Sequence, residues 1–241
     1  MNVGIARNLP AQIVLELGSH IISGEIKPGS ILTSDILESQ FGVSRTVVRE
    51  ALKVLHDKGL TRARTKVGTI VLEREEWNLL DPDVISWLRD SSLPPQFLKD
   101  LEEVRSSYEP WVARMAAERR SDNDIEVLTN ALKQMRAGYE SEGLHSTRIS
   151  DADMIFHQGL LNATQNDLIK RVGAIFIPLL RIRDDMVRKA IEDDEFIHEH
   201  EAVLAAVIAM DSVAAEAAMR KVLDTAEIVS AKVRLLPKKK E

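Results

Sequence analysis

Helical periodicity, broken by short polar segments, runs through most of this 241-residue chain and predicts a mainly α protein. One pair of β-prone segments near residue 65 interrupts it and adds a small β ribbon. Charge divides the chain in two: residues 1–75 carry ten Lys or Arg against eight Asp or Glu, whereas the remainder carries 22 against 30. These observations predict an N-terminal domain over residues 1–75, a linker helix within 76–95, an all-α bundle of about six or seven helices over 96–235, and a basic tail at 236–241.

In the first domain, Ile36 to Leu60 reads as a short helix, a tight turn at Phe41-Gly42-Val43-Ser44, and a second helix. Ser44 is placed to cap the second helix by accepting a backbone N–H. Val48, Ala51, Leu52 and Leu55 recur at three- and four-residue spacing and turn inward, which leaves Arg45, Thr46 and Arg49 facing out from its first turns. Arginine forks match guanine edges and phosphates, so this is the layout of a groove-reading helix-turn-helix. Leu60 to Arg64 and Thr69 to Glu73 follow as two strands joined through Thr65-Lys66-Val67-Gly68. Their basic tip, with Arg64, Lys66 and Gly68, forms a wing. From Phe41 to Arg74 there are eight basic residues against three acidic, so the positive field lies where a nucleic acid would.

Taken together, Ile22-x-Gly24-x-Ile26-x-Pro28-Gly29, Phe41-Gly42-Val43-Ser44-Arg45-Thr46-x-Val48-Arg49-Glu50-Ala51-Leu52, Gly59-Leu60 and Gly68-Thr69 resemble the winged-helix domain of GntR-type bacterial transcription regulators. The resemblance implies binding to a double-stranded DNA operator. One position departs from it: Asp35 stands where the family commonly places an arginine early in the first helix of the motif. A carboxylate there repels phosphate and instead favours its own helix dipole behind Thr33 or Ser34, which shifts DNA contact to Arg45, Arg49 and the wing.

After this domain, Asp81 before Pro82 predicts an N-cap with proline at the first helical position, followed by Val84, Trp87 and Leu88 on one face. Trp77 and Trp87 in so short a connection predict docking. Ser91-Ser92-Leu93-Pro94-Pro95 ends the helix. Beyond it, helix breaks fall near Ser121, Glu142 to Ser146, Gln165-Asn166, Asp193 and Asp211. Leu101, Val104, Tyr108, Val112 and Met115 form one inward stripe; Ile125, Leu128, Leu132 and Met135 form another; Val203, Ala206, Val207 and Met210 a third.

Within the bundle, Asp153-Met154-Ile155-Phe156-His157, Leu160, Ala163-Thr164, Asn166 and Glu199-His200-x-x-Val203 resemble the ligand-binding domain of the FadR subfamily, the FCD type with a histidine-lined pocket. Glu103-Val104-Arg105, Glu109-Pro110 and Ala116-Ala117-Glu118-Arg119 match its first helix. Asp153 and His157, four residues apart, share one helical face and can meet one cation, with His200 arriving from another helix. Such a set suits a divalent ion such as Zn, Ni or Mn. The family pattern implies a third histidine on the last helix, and here Val222 occupies that place. Two readings stay open: a weaker metal site completed by water or effector, and a metal-free pocket in which His157 and His200 donate hydrogen bonds. His198 points away from that face.

Arg105 is the candidate carboxylate clamp, its other reading being a surface pair with Glu109. Asn166 is either a helix cap or part of the pocket entrance. The linker, with Trp77-Asn78-x-Leu80-Asp81-x-Asp83-Val84, resembles that of family members that answer to sugar acids, which implies a hexonate-type effector. A two-fold operator implies a homodimer.

Apolar content of 44% and charged content of 29% are those of a folded globular protein. The absence of cysteine rules out disulfides, thiolate metal ligands and cysteine nucleophiles. No apolar run approaches the roughly 20 residues of a membrane span, and Met1 to Arg7 lacks the apolar core of a secretory signal, so the expectation is a cytoplasmic protein without membrane attachment. The rival class is a metal-dependent hydrolase built on Asp153, His157 and His200, for which no accompanying base or phosphate loop is found.

Overall fold

A computed structural model describes residues 9–89, 95–187 and 190–235. The chain divides into two compact units, residues 1–93 and 94–241. The break expected at residues 91–94 and the basic tail at 236–241 lie outside the described residues.

The first unit begins with α1 (Leu9–Ser23), whose Ile13, Val14, Leu17 and Ile21 are buried at helical spacing. A two-residue strand β1 (Ile31–Leu32) leads into α2 (Ser34–Phe41) and α3 (Arg45–Asp57). Gly42 makes the turn between these helices: it sits at φ 63°, a left-handed conformation open to glycine, and its N–H bonds to the Glu38 carbonyl. Val48, Ala51, Leu52 and Leu55 form the buried face of α3, and α1 packs against it. The wing consists of β2 (Thr61–Arg64) and β3 (Gly68–Val71), antiparallel with Arg64 opposite Gly68. β3 also pairs with β1, Ile31 opposite Ile70, so the sheet has three strands in the order β1-β3-β2 where two were expected.

The linker helix α4 (Pro82–Arg89) belongs to this first unit and packs on α1. Asp81 caps it through Oδ1, which accepts the N–H groups of Asp83 and Val84 at 2.9 and 3.2 Å. Val84, Ile85, Trp87 and Leu88 are buried. The Trp87 ring lies over Gly18 so closely that a Cβ built there would fall 2.5 Å from the ring. Lys58 closes the other side, its Nζ 3.0 Å from Asp81 and 2.6 Å from Asp83. Burial opposes its charge, but the hydrogen bonds to Asp83 and Asp81 outweigh that and raise its pKa above the ordinary lysine value. Trp77 is fixed as well, its indole N–H donating to the Leu72 carbonyl at 3.1 Å.

The second unit is a helical bundle of α5 (Pro95–Arg119), α6 (Asp122–Glu142), α7 (Thr147–Ala163), α8 (Asp167–Val187), α9 (Glu195–Ile208) and α10 (Ser212–Leu235). A capping box starts α6: the Ser121 hydroxyl accepts from the Asp124 N–H while the Asp124 carboxylate accepts from the Ser121 N–H. Val112, Leu128, Met135, Phe156, Leu160, Val207, Met219 and Leu223 fill the core. Ala113, Ala116 and Ala117, all fully buried, leave α5 little bulk on its inner face. Two expected stripe positions differ. Val104 is exposed and the neighbouring Arg105 takes the inward place, while Met210 is exposed in the turn after α9.

Gly18→Ala should overpack the Trp87 contact and cost about 1–3 kcal/mol. Thermal unfolding should show a lower midpoint, and adding Trp87→Leu should recover part of the loss because the two positions touch. An unchanged midpoint for Gly18→Ala would mean that α4 does not press on α1.

Candidate functional site

Two surfaces carry chemistry, one in each unit. On the first, Ser44, Arg45, Thr46 and Arg49 are all exposed on the N-terminal turns of α3. Ser44 does occupy the N-cap, but its hydroxyl makes no capping bond; its carbonyl accepts the Val48 N–H instead. A shallow groove between α3 and the wing is lined by Arg45, Arg49, Lys53, Ala63 and Thr69. Arg64 and Lys66 are exposed on the wing, and Lys66 holds a left-handed φ of 64° at its tip. Gly68 sits close under β1, where a Cβ would meet Ile31 at 3.0 Å. Asp35, in the first turn of α2, lies 3.5 Å from the Arg45 guanidinium, with Glu38 at 3.8 Å on its other edge. Arg49 forms no ion pair among the described residues and so presents its fork uncommitted.

In the second unit a cavity of about 200 Å³ is walled by five helices. Arg105 comes from α5, Asp153 and His157 from α7, Arg183 and Asp184 from α8, His200 from α9, and Val222 and Thr225 from α10. His200 Nε2 lies 2.9 Å and His157 Nε2 3.6 Å from Asp153 Oδ1. All three donors fall within 4.8 Å of one another.

The outer nitrogens define what these rings offer. His200 Nδ1 lies 2.6 Å from the Phe196 carbonyl, which can only accept, so Nδ1 carries a proton and Nε2 is the nitrogen turned toward Asp153. That nitrogen is buried and meets the Asp153 oxygen at an ion-pair distance, without the alignment of a good hydrogen bond. His157 Nδ1 faces Glu109 Oε2 at 3.2 Å, an ion-pair distance off the line of a good hydrogen bond. Imidazole nitrogens gathered on one carboxylate, with the far nitrogens held by a carbonyl and a carboxylate, match the support that metal-binding histidines receive. The residues therefore fit a divalent cation, one protein donor short of four.

Arg105 is paired with Glu109, as one expectation had it, but the pair is buried on the cavity side of α5 and not at the surface. Its Nε donates to Glu109 at 2.8 Å and its Nη1 to Glu102 at 3.3 Å. Glu102 accepts in turn from Arg183 at 3.1 Å and from the Ser230 hydroxyl at 2.8 Å, and Arg183 reaches the Ala226 carbonyl of α10 at 2.9 Å. Burial alone would push the Glu109 carboxyl up, but Arg105 and His157 hold it down at about 2. Asp153 is likewise held below the usual carboxylate range against its burial, by His157, His200 and Arg105. Asp184 goes the other way: burial and the nearby Asp153 raise it despite Arg183.

Asn166 is not part of the cavity wall. Its side-chain oxygen accepts the N–H groups of Leu168 and Ile169 at 3.0 and 3.3 Å, which makes it the N-cap of α8. His198 is exposed and paired with Glu201 and Asp194, away from the cluster. Glu102, Arg183, Asp184 and Thr225 were not anticipated. The spacing of Glu102, Arg105 and Glu109 along one face of α5 was a legible signal; Arg183 had none.

With this geometry in place, the family of bacterial regulatory proteins called gntR matches residues 9–71, and the FCD domain family matches residues 100–225. The chain belongs to the GntR family, FCD type. The galactonate operon transcriptional repressor of Escherichia coli is 30% identical to this GntR regulator over 214 residues, spanning 88% of this chain and 92% of that one. The HTH-type transcriptional regulator LutR of Bacillus subtilis is 34% identical over 216 residues, 87% and 95% of the two chains. The Bacillus subtilis gluconate operon transcriptional repressor is 23% identical over 206 residues, 83% and 76%. The solved structure of Lar, which controls the expression of the Listeria monocytogenes agr system, has the same fold, with a TM-score of 0.62 over 92% of this chain and 96% of that one at 17% identity.

These relatives are transcription regulators, not enzymes, and the hydrolase alternative falls with that finding. No helix among the described residues is long and apolar enough to cross a membrane. For this GntR regulator the buried ion chain makes a sharp prediction. Arg105→Met should leave Glu109 without its guanidinium and Glu102 with Arg183 alone, and cost about 3–5 kcal/mol in chemical denaturation. A cost below about 1 kcal/mol would mean that water already reaches the pair.

Proposed function

We propose that this regulator is a repressor of a carbohydrate-acid catabolic operon, which binds a palindromic operator as a homodimer and is released when a sugar acid of the hexonate type enters the helical unit. The observation that carries this reading is the cavity. It gathers guanidinium, carboxylate and imidazole groups around about 200 Å³. That set of charged and hydrogen-bonding groups suits a small polyhydroxy acid. The names of two relatives, repressors of a galactonate and a gluconate operon, support the same ligand class.

Arg105 spends two of its five donors on Glu102 and Glu109, which leaves donor capacity for a carboxylate in the cavity it lines. Asp153, His157 and His200 supply acceptors and donors for hydroxyl groups, and the same three would hold a divalent ion such as Zn, Ni or Mn. When bound, such an ion supplies positive charge for the effector's carboxylate. Release of DNA follows only if the effector binds an operator-incompetent arrangement more tightly than the competent one.

On the DNA side, Arg45 and Arg49 read the major groove, Ser44 and Thr46 contact its edge, and Arg64, Lys66 and Gly68 bring the wing to the backbone. Two copies are needed because one recognition helix reads too few base pairs. Arg49→Ala should weaken operator retention by about 1–3 kcal/mol while changing folding stability by no more than about 0.5 kcal/mol. Retention equal to that of the unaltered protein would remove Arg49 from the reading set. A thermal-shift panel of sugar acids should contain a stabilising ligand whose affinity falls roughly tenfold or more in Arg105→Lys, which keeps the charge and loses the fork. A ligand that binds this variant unchanged would place the carboxylate elsewhere.

A further inference from the structure

Two acidic residues stand on the basic face of the first unit, and both address the same arginine. Asp35, in the first turn of α2, places Oδ1 3.5 Å from Arg45 Nη2, and Glu38, on the same helix, places Oε1 3.8 Å from Arg45 Nε. The Asp35 side chain is 82% exposed, whereas that of Glu38 is 30% exposed and its Oε1 is buried without a hydrogen-bond partner. Arg49, one turn further along α3, forms no ion pair among the described residues.

Nε and Nη2 share the side edge of a guanidinium. Both carboxylates therefore face that one edge of Arg45 and leave its end edge, Nη1 with the outer hydrogen of Nη2, unopposed. Guanine presents O6 and N7 side by side in the major groove, two acceptors spaced for such an edge. A phosphate fits the same edge but brings a third negative charge to a guanidinium that already faces two; a guanine edge carries no net charge.

Resting on the assignment of Arg45 to the major groove, the geometry points to Asp35 and Glu38 as specificity-determining residues, which aim Arg45 at a guanine and bar it from acting as a sequence-independent phosphate anchor. Discrimination is a difference of affinities, and it grows when the wrong partner is penalised as well as when the right one is favoured. At Asp35, where members of this family commonly carry arginine, a group that attracts phosphate gives way to one that repels it. Absolute affinity for DNA falls by that exchange while the ratio of operator to unrelated sequence rises. Arg49 is under no such restraint and is free to take base or backbone.

Fluorescence anisotropy of the full-length protein tests this with two labelled duplexes: one enriched from a random-sequence pool by the unaltered protein, and one with the same bases in scrambled order. In the double variant Asp35→Asn with Glu38→Gln, affinity for the scrambled duplex should rise at least roughly threefold and affinity for the enriched duplex by less, so that their ratio falls. The slope of log affinity against log salt on the scrambled duplex should steepen by about 1, the mark of one added phosphate contact. Adding Arg45→Ala should erase both changes, because the carboxylates act through that side chain. Glu50→Gln removes an equal charge from α3 and should leave the ratio unaltered. A double variant that gains by one common factor on both duplexes, or gains on neither, would overturn the inference. If Arg45→Ala alone then still weakens binding to the enriched duplex, groove reading by Arg45 stands without its two carboxylates; if it does not, both readings fall together.

Discussion

Arg105 and Arg183 are buried in the helical unit together with Glu102 and Glu109, and each charge must be answered by another because little water reaches them. The answering pairs run from α7 through α5 to α8 and α10. His157 faces Glu109, Glu109 and Glu102 hold Arg105, and Glu102 passes to Arg183, which ends on the Ala226 carbonyl. This chain does more than stabilise. It sets Glu109 against His157 and ties the α5 and α8 walls of the cavity to α10. Arg105 thus belongs to a set of pairs shared by four helices.

The first unit solves the opposite electrostatic problem. The basic side chains of its recognition helix start and wing are kept in water: Arg45, Arg49, Arg64 and Lys66 are exposed, and the apolar face of α3 is spent on the packing against α1. Asp35 beside Arg45 is the exception, a negative group on a positive face that orients one arginine and leaves Arg49 free. The linker helix is part of that unit, clamped between Gly18 and Lys58 through Trp87, Asp81 and Asp83. Any displacement of α4 is thereby felt by α1 and, through it, by the recognition helix.

What could be read from the chain divides along physical lines. The helix-turn-helix was legible because burial on α3 repeats at helical spacing and Gly42 marks its turn; the Asp81-Pro82 start of α4 was legible because capping is local chemistry. β1 escaped notice, since two residues hold no alternation. The stripe on α5 was misassigned by one residue for a related reason: hydrophobicity favours Val104 over Arg105, but partners on both sides make the arginine the buried one. Asn166 was legible as a cap and is one. Arg183 and Ser230 could not be anticipated as partners of Glu102, from which they are 81 and 128 residues distant, because only the fold brings them together.

The account as a whole turns on DNA held by one unit being surrendered when the other is filled. Fluorescence anisotropy of a labelled duplex from the region upstream of its own gene, titrated with protein and then with hexonates, measures that directly. The account predicts salt-sensitive, submicromolar retention that a sugar acid reverses at concentrations leaving ionic strength unchanged. Retention that no sugar acid alters, with the cavity demonstrably occupied, would contradict it.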